Sequence, residues 1–213
     1  MAKILTENGE PGQSIWADPV VVVGLGDSTS GQQTKARSLP VTLASDEGPV
    51  AVIGKSAQVS ASVTRLANTT QYAINDVLSD HATTPTLLTF SGGARIDGAL
   101  AYVVGGTMVT STVAATAAQV RLMLFSVAPA AENDNAAFTP TDAHALYCIG
   151  WLTFDTYQDG ALNRLYVARL EGQPPVVDCA ASADDIYAIP VMQNAYTPGS
   201  AEVFTFTLHI SQD

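Results

Sequence analysis

After Lys55 the sequence contains no lysine at all. Residues 58–213 hold five arginines against fourteen acidic side chains, a net of −9 within a whole-chain charge of −11. A surface this acidic repels phosphate backbones, so the expected partners include no nucleic acid and no membrane. Cysteine is scarce too: Cys148 and Cys179 are the only two. Both sit in strand-like settings, which predicts two buried, reduced thiols rather than a disulfide framework. No His-x-His or Cys-x-x-Cys pair exists, and His81, His144 and His209 are too scattered to suggest a metal centre. Long apolar runs are missing as well. Nothing approaches the roughly 20 residues of a membrane span, and the opening Met1-Ala-Lys-Ile-Leu-Thr-Glu-Asn-Gly-Glu10 lacks the apolar stretch of a secretory signal. The expectation is a chain made and kept in a cytosol-like compartment, where Asn68-Thr-Thr70 is a turn and not a glycosylation site.

What the sequence has in abundance is strand pattern. From Ala57 onward the apolar period is close to two. Val59–Arg65, Gln71–Leu78, Leu87–Phe90, Ile96–Thr110, Val120–Val127, Leu146–Phe154, Leu162–Leu170, Asp185–Met192 and Val203–Ile210 all read as strands, separated by turn chemistry such as Ser91-Gly-Gly93 and Pro198-Gly199. The last run is the clearest, with Phe204, Phe206, Leu208 and Ile210 on one face and Val203, Thr205, Thr207 and His209 on the other. Helix signals are weak. Thr112–Ala118 is alanine-rich but lacks caps, and reads as a loop or edge piece. About nine strands with connections of varied length predict an all-β, antiparallel, jelly-roll-like β-sandwich over 58–213, with an up-and-down barrel or an immunoglobulin-like sandwich as alternatives.

Residues 1–57 differ: they are poor in aromatics and rich in turn formers. The short β-prone pieces Val20, Val21, Val22, Val23, then Leu39, Pro40, Val41, Leu43, then Val50, Val52, Ile53 cannot make a core alone. Their backbone groups must pair with something. The segment is therefore expected to be an extended arm with short β segments that gains order by docking, and those residues are the candidate partner-binding set. Lysine commonly guards exposed strand edges. A lysine-free sandwich needs closure, proline, acidic loops or subunit contact instead. Contact is the expectation here, in a homo-oligomer such as a trimer.

Several stretches invite an enzymatic reading. Val20-Val-Val-Val-Gly-Leu-Gly-Asp-Ser-Thr-Ser-Gly31 begins like a dinucleotide-binding strand and glycine loop, but its third glycine falls five residues after Gly26 where three are needed, and Pro40 leaves little room for the helix. Gly26-Asp27-Ser28 resembles the nucleophile block of GDS-type hydrolases, with Asn75-Asp76 as a possible asparagine block. That chemistry needs a histidine oriented by a carboxylate. The Asp-x-x-His block is missing, and a turn between arm strands explains Ser28. Glu132-Asn-Asp-Asn135 and Ser182-Ala-Asp-Asp185 gather oxygen ligands without the spacing of a calcium loop. No catalytic residue, cofactor or metal is expected. Tyr157, Tyr187 and Tyr196 are the residues that could offer a sugar-stacking platform.

Val63-Thr-Arg-Leu-Ala-Asn-Thr-Thr-Gln-Tyr-Ala-Ile-Asn-Asp-Val77, Gly93-Ala-Arg-Ile-Asp-Gly-Ala99, Val120–Pro129, Asp134-Asn-Ala-Ala-Phe138 and Ile149-Gly-Trp-Leu-Thr-Phe154 together resemble a family of tailed-bacteriophage virion structural proteins. Arg37-Ser-Leu-Pro-Val-Thr-Leu-Ala-Ser-Asp46 is similar to an arm segment that precedes that domain. The resemblance covers residues 37–154 well and the remainder loosely. It implies a non-enzymatic β-sandwich located in the virion and assembled in the host cytoplasm, contacting the major capsid protein or other virion proteins. A capsid decoration or cement protein is the first expectation, and a tail or fibre component contacting host glycans the second.

Overall fold

The computed structural model describes residues 55–180 and 182–212. The arm residues Val20 to Val23, Leu39 to Leu43 and Val50 to Ile53 lie outside the described residues. The regular structure of the described chain is antiparallel β apart from one helical turn. In order it forms β1 (Lys55–Thr64), β2 (Leu88–Phe90), β3 (Leu100–Thr110), β4 (Val120–Phe125), the single turn α1 (Asp142–Ala145), β5 (Cys148–Asp159), β6 (Arg164–Leu170), β7 (Val176–Asp178), β8 (Ile186–Met192) and β9 (Val203–Gln212). No described helix is long and apolar enough to cross a membrane, which says nothing of spanning by strands.

The alternation in β9 shows why these residues become strands. Phe204, Phe206, Leu208 and Ile210 are buried while the residues between them are half-exposed. Each such side chain contributes about 1.5–3 kcal/mol by leaving water, and a slip of one residue would turn all four outward. Ten consecutive pairs lock β1 to β9, from Lys55 opposite Gln212 to Thr64 opposite Val203.

The pairings nest. β1 pairs with β9, β2 with β8, β3 with β6 and β4 with β5, which is one long hairpin of strands. Rolling that hairpin adds β9 to β3, β6 to β5 and β4 to β8, giving the order β1-β9-β3-β6-β5-β4-β8-β2, with β7 appended to β3. This is a jelly roll. It excludes an up-and-down barrel, whose neighbours in space would be neighbours in sequence.

The inner faces of β1-β9-β3-β6 and β2-β8-β4-β5 enclose the main core. Phe154 of β5 meets Phe206 of β9 edge to face, with ring centroids 5.7 Å apart. At Gly106 there is no room for a side chain: an added Cβ would stand 2.8 Å from the Thr207 carbonyl oxygen on the neighbouring strand β9 and 3.0 Å from Leu152 Cδ1 across the core. The end strands β1 and β2 share no hydrogen-bonded ladder. They face each other across a cleft lined by Ser60, Ser62 and Thr64 on one side and Thr86, Leu88 and Thr89 on the other.

Some expected elements differ. Gln71–Leu78 is not a strand: it makes only isolated bridges at Tyr72, Asp76 and Val77, and Asn75 turns with φ 71°. Tyr72 and Leu78 are buried in the main core, Val77 joins Phe125, Ile189 and Val191 in a second, smaller core, and Ile74 is exposed. The alternation expected through Leu146–Phe154 breaks at a bulge. Phe125 pairs with Cys148 and Leu124 with Gly150, so Cys148 faces the second core while Leu152 and Phe154 face the first. Gly150, at φ 140°, takes the backbone strain of that bulge. Leu146 lies before β5, 84% exposed. Thr112–Ala118 forms a loop.

Candidate assembly surface

The loops at the ends of the roll are pinned by buried charge. Arg65, just past β1, has its Nε donating to the Tyr72 hydroxyl at 2.7 Å and its guanidinium donating to Asn68 O at 2.8 Å, Asn68 Oδ1 at 3.1 Å and Asp134 Oδ2 at 3.3 Å. The Tyr72 hydroxyl donates to Asp134 Oδ1 at 2.5 Å, and the same oxygen accepts from Ser79 N at 3.0 Å. Arg65 and Asp134 have side-chain exposures of 0% and 2%. One ion pair thus ties β1 to two long loops and satisfies the groups it buries. Burial, and then the bond to Asp134, push the Tyr72 phenol well above its ordinary range, so it stays a donor.

Two further pins sit elsewhere. The buried Glu202 carboxylate accepts from the Tyr196 hydroxyl at 2.8 Å and from Gly199 N at 2.9 Å. Arg164 pairs with Asp159, donates to Ala114 O at 3.2 Å and lies 4.6 Å from the ring centre of Tyr157. These four buried charged side chains, Arg65, Asp134, Arg164 and Glu202, are spent on holding loops.

The outward face of β1-β9-β3-β6 is of a different kind. On β1 the outward positions are Ser56, Gln58, Ser60, Ser62 and Thr64, and opposite them on β9 stand Ser211, His209, Thr207, Thr205 and Val203. The next strand presents Tyr102, Gly105, Thr107 and Val109, with Val104 added at a bulge between Val103 and Gly105. Beyond these lie Val176 opposite Tyr102, and Val167 and Leu165 opposite Thr107 and Val109. None of the fourteen acidic residues of 58–213 occupies an outward position on β1, β9 or β3. β1 and β9 make the face largely hydroxyl-bearing, β3, β6 and β7 make it largely apolar, and Asp178 and Arg169 lie at its margin.

The remaining candidates are dispersed. His81 Nδ1 accepts from Thr83 N at 3.1 Å and Thr84 N at 3.0 Å, capping its own loop. His144 lies in α1 and His209 on the outward face of β9. Asp134 is engaged by Arg65, while Asp184, Asp178 and Asp185 surround Cys179. Burial first, and then those three charges, push that thiol up to about 11. Both cysteines are free, with Cys179 buried as expected and Cys148 half-buried. Among the described residues no three His, Cys, Asp or Glu side chains gather as a metal site. Tyr157, Tyr187 and Tyr196 do not form a platform: Tyr196 is in the main core, Tyr187 packs on the second, and Tyr157 is exposed beside Arg164. Asn75 and Asp76 are used in a turn, where Asp76 Oδ2 accepts from Ala73 N at 2.6 Å. Ser28 lies outside the described residues.

Sequence reasoning missed the pins because Arg65, Tyr72 and Asp134 are separated by up to 69 residues. It also missed the face on which β1, β9 and β3 place no acidic residue, which exists only once these strands are known to be neighbours. No protein-family model matches the chain, and no curated protein matches it. Among solved structures it is similar to one from Desmodium yellow mottle tymovirus, with 14% identity over 86% of this chain and 93% of that one and a TM-score of 0.28. It is also similar to a cryo-EM structure of mud crab dicistrovirus, with 11% identity over 94% of this chain and 93% of that one and a TM-score of 0.13. At these scores neither likeness bears on which component of a particle the chain would be.

Proposed function

We propose that the protein is a non-enzymatic structural subunit of a virus particle, and specifically a decoration or cement protein of a tailed-phage head. In this reading residues 58–213 form the body. The arm, 1–57, anchors it to the major capsid protein or a neighbouring subunit through Val20 to Val23, Leu39 to Leu43 and Val50 to Ile53. Many weak apolar and backbone contacts, repeated by symmetry, add up to firm attachment.

One observation carries the reading. The residues in which the chain resembles tailed-phage virion proteins include Arg65, Asn68, Tyr72 and Asp134, the members of the buried pin. The resemblance thus includes the side chains that hold the roll's loops, alongside exposed ones such as Ile74 and Ile96. The tail or fibre reading has no comparable support, since its three tyrosines are dispersed.

Purified particles provide the test. Peptide mass spectrometry should find the chain at a copy number set by the shell's symmetry, and particles stripped of it should rebind the purified full chain. Replacing Leu39, Val41 and Leu43 together with Ser should weaken rebinding at least tenfold while the far-ultraviolet circular dichroism is unchanged. Absence of the chain from washed particles refutes the reading.

A further inference from the structure

Copies of a chain with net charge −11 repel one another wherever carboxylates face each other. The outward face of β1-β9-β3-β6 can approach a like surface with little of that penalty, because β1, β9 and β3 place no acidic residue on it and Asp178, opposite Leu100 on β7, stands at its margin. The face is also where apolar surface collects. Leu100, Tyr102, Val104, Leu165, Val167 and Val176 are 41%, 37%, 51%, 44%, 55% and 46% exposed, six of the fourteen large exposed hydrophobics of the described residues. A patch of this kind marks an interaction surface.

We propose that a second copy of this chain packs on this face, sheet against sheet. The proposal deepens the reading of the protein as an assembling subunit by naming the surface through which copies meet. Four strands spaced about 4.8 Å apart and about ten residues long at roughly 3.4 Å per residue present on the order of 650 Å². Two such faces bury about 1,300 Å², above the roughly 1,000 Å² that a specific interface needs. Four of the hydroxyls keep a partner when water leaves, since Ser60 bonds Thr207 at 2.8 Å and Ser62 bonds Thr205 at 2.9 Å within the sheet. The same patch contributes from both sides, so the contact is isologous and its product is a two-fold pair. A trimer would have to use other surfaces.

Sedimentation velocity on the full chain tests this. The natural chain should sediment as a dimer at tens of micromolar. Val104→Glu combined with Val167→Glu, one change on each of two adjacent strands, should weaken pairing at least about 100-fold by setting like charges against each other. Val104→Ser with Val167→Ser adds no charge to the face and covers the case in which the glutamate variant does not fold; it should weaken pairing about tenfold. Leu162→Glu, on the loop between β5 and β6, should leave the dimer intact. A natural chain that stays monomeric at about 100 µM overturns the proposal, as does a dimer unaffected by both double variants. A monomeric chain that still enters particles sinks the pairing and leaves the virion reading standing. A paired chain that never enters particles does the reverse.

Discussion

Removing the Asp134 carboxylate is the most informative single change. In Asp134→Ala the Arg65 guanidinium keeps its place, with a side-chain exposure of 0%, but loses its counter-charge. Ser79 N loses its acceptor at 3.0 Å, and the Tyr72 hydroxyl loses the one it donates to at 2.5 Å. Breaking a buried ion pair from one side costs about 3–5 kcal/mol, a large share of a total stability of roughly 5–15 kcal/mol. With a urea slope of about 1–3 kcal/mol/M, the midpoint should fall by more than about 1 M at unchanged slope. Asp134→Asn, which keeps an acceptor but not the charge, should fall between the two. The double variant Arg65→Met with Asp134→Leu should recover part of the loss, because neither charge then needs desolvating. Hydrogen exchange should show protection failing first in residues 66–81 and 128–138, the loops the pair joins. A midpoint shift below about 0.3 M, or a double variant as unstable as the sum of the two single changes, would refute the reasoning.

Three other outcomes are expected. The Cys179 thiol has a folded value of about 11 against an ordinary 9.0. Its contribution is therefore fully present below pH 9 and is lost as pH rises through 11, because the unfolded chain gives up that proton first. Burial raises Tyr72 and Tyr196 from 10.0 in the same direction, so urea midpoints should fall continuously above pH 9, and Cys179→Ala should remove the earliest part of that fall. Gly106→Ala should cost about 1–3 kcal/mol in urea unfolding, since the new methyl meets the Thr207 carbonyl oxygen and Leu152 at 2.8 and 3.0 Å; an unchanged midpoint would show that Thr207 and Leu152 leave room for it. Ester hydrolysis by the natural chain should equal the buffer rate and be unaffected by Ser28→Ala, whereas turnover lost with Ser28 would establish a hydrolase.

How far the sequence reveals the fold depends on how local each signal is. Val203–Ile210 declares a strand because its alternation is unbroken over eight residues, and β9 is where it was expected. Gln71–Leu78 carries β-prone residues as well, yet it covers a sheet without joining a ladder; Tyr72, Val77 and Leu78 are buried there while Ile74 is exposed. β7 is three residues beside Pro175, too short to register. The turn α1 rests on Thr141 accepting from His144 N at 3.3 Å, a cap inside an otherwise irregular loop. The bulge at Gly150 exchanged the faces of Cys148 and Leu152, which no count of alternating residues anticipates. The hydroxyl-bearing part of the outward face was spelled out in Ser60, Ser62, Thr205 and Thr207, but hydroxyl pairs separated by 147 and 143 residues become a surface only through the roll.

An image reconstruction of the particle at a resolution that separates strands would bear most directly on the structural role. Density repeating at symmetry-related sites, traceable as β1-β9-β3-β6 over β2-β8-β4-β5 with an extended segment leading into Lys55 from the shell, is the expected result. A particle with no such density, from a preparation in which the chain is absent by mass spectrometry, would contradict it.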